Sequence, residues 1–126
     1  MKLIAKEVAM DLIRALREPL ERLKVQDAEL EDQARRAAVS VALNVAEGAR
    51  RFGKDRAQYW RIAMGSANEL DTALQIAVAW GYFTAEEVPA ELADRMVRLL
   101  WGLVRAATAS PSDAPGTPAP RPRRRR

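Results

Sequence analysis

The sequence predicts an all-α protein, an up-down-up-down antiparallel four-helix bundle that assembles into a homo-oligomer. Three observations predict it. Apolar residues recur at three- and four-residue spacing through long segments, which is helical periodicity. Short turns marked by Asp27, by Gly48 to Gly53 and by Gly81 separate those segments. The central segment from Ala34 to Phe83 also lacks a proper polar face: residues 37–46 hold eight apolar side chains in ten, and residues 73–80 repeat the feature. A helix in a lone bundle keeps an outer face in water, so a second apolar face on both central helices implies that another subunit covers it.

The first helix is expected from about Leu3 to Lys24, with Ile4, Val8, Leu12, Leu16, Leu20 and Leu23 on its apolar side. Pro19 removes a backbone donor inside this pattern, so a kink near Glu18 is expected rather than a stop, because the apolar register continues beyond it. Asp27 suits the N-cap of a second helix running from about Ala28 to Glu47, with Glu29 and Glu31 at its positive end. Gly48 is the expected C-cap. Lys54 or Asp55 then opens a third helix that reaches Trp80 and is closed by Gly81. Thr84 with Glu86 and Glu87 reads as a capping box for the fourth helix, and Pro89 is tolerated there if that helix starts close to it. Leu92, Met96, Leu99, Leu100, Leu103 and Val104 form its apolar stripe.

The 126 residues make one domain, residues 1–109, followed by a Pro- and Arg-rich segment, residues 110–126, that cannot build a core and is expected to be disordered. The formal charge of +4 resides in that segment, which carries five arginines against Asp113. Removing those from the 21 basic and 17 acidic residues leaves sixteen of each, so the bundle is neutral and any basic surface on it comes from uneven distribution. With no cysteine and no histidine, disulfides, thiolate nucleophiles, His bases and the usual zinc sites are excluded. No cofactor is expected. The N-terminus turns charged too soon for a secretory signal and no apolar run is long enough to span a bilayer, so the expected compartment is the cytoplasm.

Ser40, Asn44, Glu47, Ser66, Asn68 and Glu69 interrupt the apolar runs. Buried polar groups need partners, so these residues are expected to hydrogen-bond one another or a helix end, while Gly65 lets a neighbouring helix come close. The alternative is a small active site with Glu47 and Glu69 as an acid/base pair. Arg50, Arg51, Lys54, Arg56 and Arg61, interleaved with Phe52, Tyr59 and Trp60, form the densest basic stretch of the body. Cations beside aromatic rings suit phosphate contact and base stacking, and a solvated loop or a subunit interface accounts for the same residues. Trp60, Trp80 and Trp101 read as core or interface anchors.

The run from Arg35 to Gly48, followed by Tyr59 to Leu70 and by Trp80-Gly81-Tyr82, resembles the four-helix-bundle family of 23S rRNA intervening-sequence proteins. The likeness is carried by Arg35-Arg36-Ala37-Ala38 with Ser40, by Asn44-Val45-Ala46-Glu47-Gly48, by Gly65-Ser66 with Glu69-Leu70, and by Gly81-Tyr82. It implies an up-down-up-down bundle forming a homopentamer, with Ser40, Asn44, Glu47, Gly48, Gly65, Ser66, Asn68, Glu69 and Gly81 architectural. It also implies kinship with the accessory variability determinant of diversity-generating retroelements, a basic pentamer that binds a reverse transcriptase and nucleic acid. The neutral body departs from that basic character. Taken together, a non-enzymatic oligomeric scaffold for RNA, DNA or a nucleic-acid enzyme is expected. Arg50, Arg51, Lys54, Arg56 and Arg61 would meet phosphate, helped by Arg35, Arg36 and the terminal Arg123, Arg124, Arg125 and Arg126. The alternatives are a purely structural protein–protein oligomer and a small enzyme using Glu47 and Glu69.

Overall fold

The computed structural model describes residues 3–109. They form four α-helices and no strand: α1 (Ile4–Gln26), α2 (Ala28–Ala49), α3 (Gly53–Ala79) and α4 (Ala90–Thr108), with a single 3-10 turn at Ala85–Glu87. Each helix packs on its neighbour in sequence and α4 closes against α1, so the bundle is the expected up-down-up-down one. The tail, with Arg123 to Arg126 and its expected disorder, lies outside the described residues.

The core is aliphatic, with Leu12, Leu16, Leu23, Leu70, Leu74, Met96 and Leu100 almost completely removed from water. Each such side chain contributes roughly 1.5–3 kcal/mol of transfer free energy. Between α2 and α3 the packing residues are mostly alanine: Ala34, Ala37 and Ala38 on one helix, Ala63, Ala67, Ala73 and Ala77 on the other. Small side chains let two helix axes approach toward the short end of the usual 8–10 Å range. Two side-chain bonds fix the antiparallel register there. Ser40 Oγ lies 2.7 Å from Ser66 Oγ, and Trp60 Nε1 donates to the Val45 carbonyl at 3.2 Å.

Among the described residues no helix is long and apolar enough to cross a membrane. Pro19 is buried within α1, which continues through it as expected. Asp27 caps α2, its carboxylate accepting from the Leu30 amide at 3.0 Å. Gly81 closes α3 at φ +81, and the Tyr82 amide donates back to the Ala77 carbonyl at 2.9 Å in a Schellman motif.

Two expectations are corrected, and a third finds no use within the chain. Gly48 is not the C-cap of α2, which continues through it to Ala49 and has Arg50, in a right-handed conformation, as its C-cap. Glycine is needed at 48 because a Cβ there would stand 2.5 Å from Trp60 Cδ1, inside the space the indole occupies. Thr84 does form the capping box with Glu87, but the box opens the 3-10 turn; Pro89, which cannot continue that turn into a helix, becomes the N-cap of α4. A Cβ on Gly65 would meet nothing within 4 Å, so no helix of the same chain uses the space that glycine leaves. Its position on α3 turns it to the outer face.

Gly48→Ala is expected to lower stability by about 1–3 kcal/mol, the usual cost of forcing an atom into a filled site. A Tm lower by several degrees would show it; an unchanged Tm would mean that Trp60 moves aside freely.

Candidate nucleic-acid interface

The α2–α3 turn is built by its own basic residues. After α2 ends, the Arg50 and Arg51 amides bond back to the Glu47 and Gly48 carbonyls at 3.0 and 3.1 Å. Phe52 is extended, and Gly53 takes φ +55 to start α3, a conformation that suits glycine. Arg56, on the first turns of α3, reaches back across the junction. Its Nε and Nη2 donate to the Gly48 and Ala49 carbonyls, both at 3.0 Å, adding a second donor at Gly48 and supplying one at Ala49, in the last turn of α2. The same guanidinium carbon lies 5.3 Å from the centroid of the buried Trp60 ring and 5.8 Å from that of Phe52. Arg56 therefore clamps the turn within the chain, a commitment that the sequence expectation of phosphate contact did not include.

Arg51 is partly committed as well. Its Nε lies 2.8 Å from Glu47 Oε2 and its guanidinium 5.3 Å from the Tyr59 ring centroid. The hydrogen bond that it donates to Glu47 raises its pKa above the ordinary arginine value. Arg50, Lys54 and Arg61 are different: all three are exposed and, among the described residues, their side chains have no hydrogen-bond or ion-pair partner. Lys54 and Arg61 are seven residues apart, two turns of α3, and so share one face. Phe52 lies between Arg50 and Lys54 in the turn, 84% exposed.

Arg35 and Arg36 do not join this cluster. They sit about fourteen residues before Arg50, the C-cap of the same helix, roughly 20 Å away at 1.5 Å per residue. Arg35 is held by Glu31 at 3.1 Å and Asp32 at 2.7 Å, and Arg36 lies 3.5 Å from Asp32. Glu31, expected only as an acidic residue at the positive end of α2, is buried; its spacing from Ala34 and Ala38, in the core register of α2, was the available signal.

The expected polar cluster divides in two. Ser40, Ser66 and Asn44 are linked, Asn44 Nδ2 donating to the Ser40 carbonyl at 2.9 Å and to its Oγ at 3.1 Å. Asn68 and Glu69 are exposed and stay outside this network, because their places on α3 face away from the core. They border an open groove of about 830 Å³ between the outer faces of α2 and α3, together with Gly65, Thr72 and Ile76. Thr72 and Ile76 extend the outward row begun by Gly65 and Glu69 at helical spacing, a pattern that could have revealed them. Glu47 is not in that groove. In the register set by Ser40 and Ser66, Glu69 stands opposite Ala37, ten residues from Glu47, or about 15 Å along α2. The two carboxylates therefore do not meet within one chain as an acid/base pair. Among the described residues no three metal-ligating side chains come together.

The sequence model of the family described as 23S rRNA-intervening sequence protein matches residues 1–102. The chain belongs to this family. A crystal structure of a protein of unknown function from the S23 ribosomal protein family of Bacteroides thetaiotaomicron is similar in fold, with a TM-score of 0.71 at 18% identity, covering 80% of this chain and 98% of that one. No curated protein matches. Of the family-like residues, Asn44, Glu47 and Gly48 lie at or near the α2–α3 turn, Arg36, Ala37, Ser40, Gly65, Ser66 and Glu69 line the groove, and Gly81 closes α3.

The clamp and the free cations separate by stability. Arg56→Ala, which removes the side-chain donor to the Ala49 carbonyl and one of the donors to the Gly48 carbonyl, is expected to cost about 1–3 kcal/mol. Arg50→Ala and Lys54→Ala are expected to stay within about 0.5 kcal/mol of the parent in denaturant unfolding.

Proposed function

We propose that this family member is a non-enzymatic, self-associating scaffold that binds nucleic acid at the α2–α3 end of its bundle. The observation that carries the reading is that Arg50 and Lys54, exposed and with side chains unpaired among the described residues, flank the exposed Phe52, with the equally exposed Arg61 two turns further along α3. Exposed cations release counterions from a phosphate backbone, which favours binding without sequence preference. The up-down-up-down order brings Ala109, the last described residue, to this same end, and the sequence that follows carries Arg123, Arg124, Arg125 and Arg126.

Self-association is supported by apolar side chains left in water. Val39 and Leu43 lie one turn apart on the outer side of α2, while Ile62, Ile76 and Trp80 follow one face of α3 past Gly65, with Trp80 71% exposed. Gly65 offers a close approach that nothing in its own chain takes up. A ring of five copies, the assembly implied by the family resemblance, would repeat the basic end five times and raise avidity well above that of one site. Kinship with the retroelement accessory determinant extends this role to presenting nucleic acid to a reverse transcriptase. A protein-only scaffold is the second reading, favoured by the neutral body and by the internal commitments of Arg35, Arg51 and Arg56.

Binding of full-length protein to duplex DNA across a salt series tests the phosphate site. The combined Arg50→Ala, Lys54→Ala and Arg61→Ala variant should bind more weakly and lose about one unit of salt slope for each cation that contacts phosphate. If only alanine substitution of Arg123 to Arg126 abolishes binding, the bundle is a protein-interaction scaffold. Gly65→Leu tests assembly: helix content should persist by circular dichroism while the mass by light scattering falls. A monomeric parent would refute self-association.

A further inference from the structure

We infer that Phe52 is a stacking platform for an unpaired base, so that the α2–α3 turn prefers single-stranded nucleic acid to duplex; this rests on the reading of the turn as a phosphate-binding site. Phe52 serves the fold poorly where it stands. It occupies the N-cap of α3, where a serine, threonine, aspartate or asparagine would accept a bond from the first turn, and it makes no such bond. Its ring is 84% exposed, so the core gains little from it. A residue that breaks two local preferences at an otherwise well-formed turn is placed for something other than stability.

The surroundings equip the ring for stacking. The Arg56 guanidinium, fixed by two carbonyls at 3.0 Å, lies 5.8 Å from the Phe52 centroid and 5.3 Å from that of the buried Trp60. Phe52 is thereby backed by a cation that is itself anchored to the core, while most of the ring remains open to a ligand. Arg50 and Lys54, two residues to either side, can hold the phosphates that flank a base stacked on the ring. Every base has a π-face, so such a site tolerates sequence, whereas bases inside a duplex are already stacked and cannot reach it.

The test measures fluorescence anisotropy of labelled oligo(U), oligo(dT) and a duplex of equal length with the full-length protein, its Phe52→Ser and Phe52→Trp variants, and Lys54→Ala. Serine can cap α3, so Phe52→Ser should not lower Tm or change the oligomer mass. It should weaken single-strand binding about tenfold, within the range found for removing one base-stacking aromatic side chain. Duplex binding should be unchanged and Phe52→Trp should retain single-strand affinity. The inference is overturned if Phe52→Ser leaves single-strand binding intact while Lys54→Ala weakens both ligands, in which case the phosphate site stands alone. It is also overturned if Phe52→Ser alters the oligomer mass, which would make Phe52 a subunit contact. Absence of salt-dependent binding to any of the three ligands would remove both this inference and the phosphate site beneath it.

Discussion

The indole of Trp60 occupies the space that a side chain at Gly48 would need, and the geometry of the α2–α3 end follows from that contact. With no Cβ in the way, the Trp60 N–H reaches the Val45 carbonyl, which ties the start of α3 to the last turns of α2. Arg56 is then close enough to take the Gly48 and Ala49 carbonyls. Its guanidinium in turn lies against both Trp60 and Phe52. A buried tryptophan, a clamped arginine and an exposed phenylalanine thus form one connected unit. The rigidity of the turn comes from the core beneath it.

That unit also sorts the charges. Seven body cations in the expected phosphate-binding set look alike in sequence, yet they have different environments. Arg56 is spent on helix carbonyls, Arg35 on Glu31 and Asp32, and Arg51 in part on Glu47. Arg36 has only a long contact with Asp32. What remains uncommitted at the turn is Arg50, Lys54 and Arg61. Because the body is neutral overall, the fields of these few residues matter more than net charge, and screening limits their reach to about 10 Å at moderate salt. A ligand must therefore come to the turn itself.

The outer faces of α2 and α3 raise a separate constraint. Their inner faces meet through alanines, which bring the helices close and allow Ser40 to bond Ser66. Their outer faces keep Leu43, Ile62, Ile76 and Trp80 in water beside a groove whose deepest polar groups are already satisfied. Ser40 and Ser66 in that groove are paired with each other, whereas Asn68 and Glu69 on its rim stay outside their network.

The sequence by itself determined the four helices, the caps at Asp27 and Gly81 and the passage of α1 through Pro19, because each depends on periodicity or on residues within a few positions of one another. It also carried the excess of apolar surface on α2 and α3, since a helix with no polar face is visible in the order of its residues. Tertiary structure alone decided what depends on a neighbour across the bundle. Gly48 looked like a C-cap because glycine commonly ends helices, and only the position of Trp60, twelve residues on, explains it otherwise. Asn68 and Glu69 looked like members of a buried cluster, and helix rotation placed them outside while leaving Ser66 within. Arg56 and Lys54 are two residues apart on one helix, yet one faces the carbonyls of α2 and the other faces water. A helix turns about 100° per residue, so chemical type is legible along the chain, whereas the partner each side chain meets is set by which helix lies beside that face.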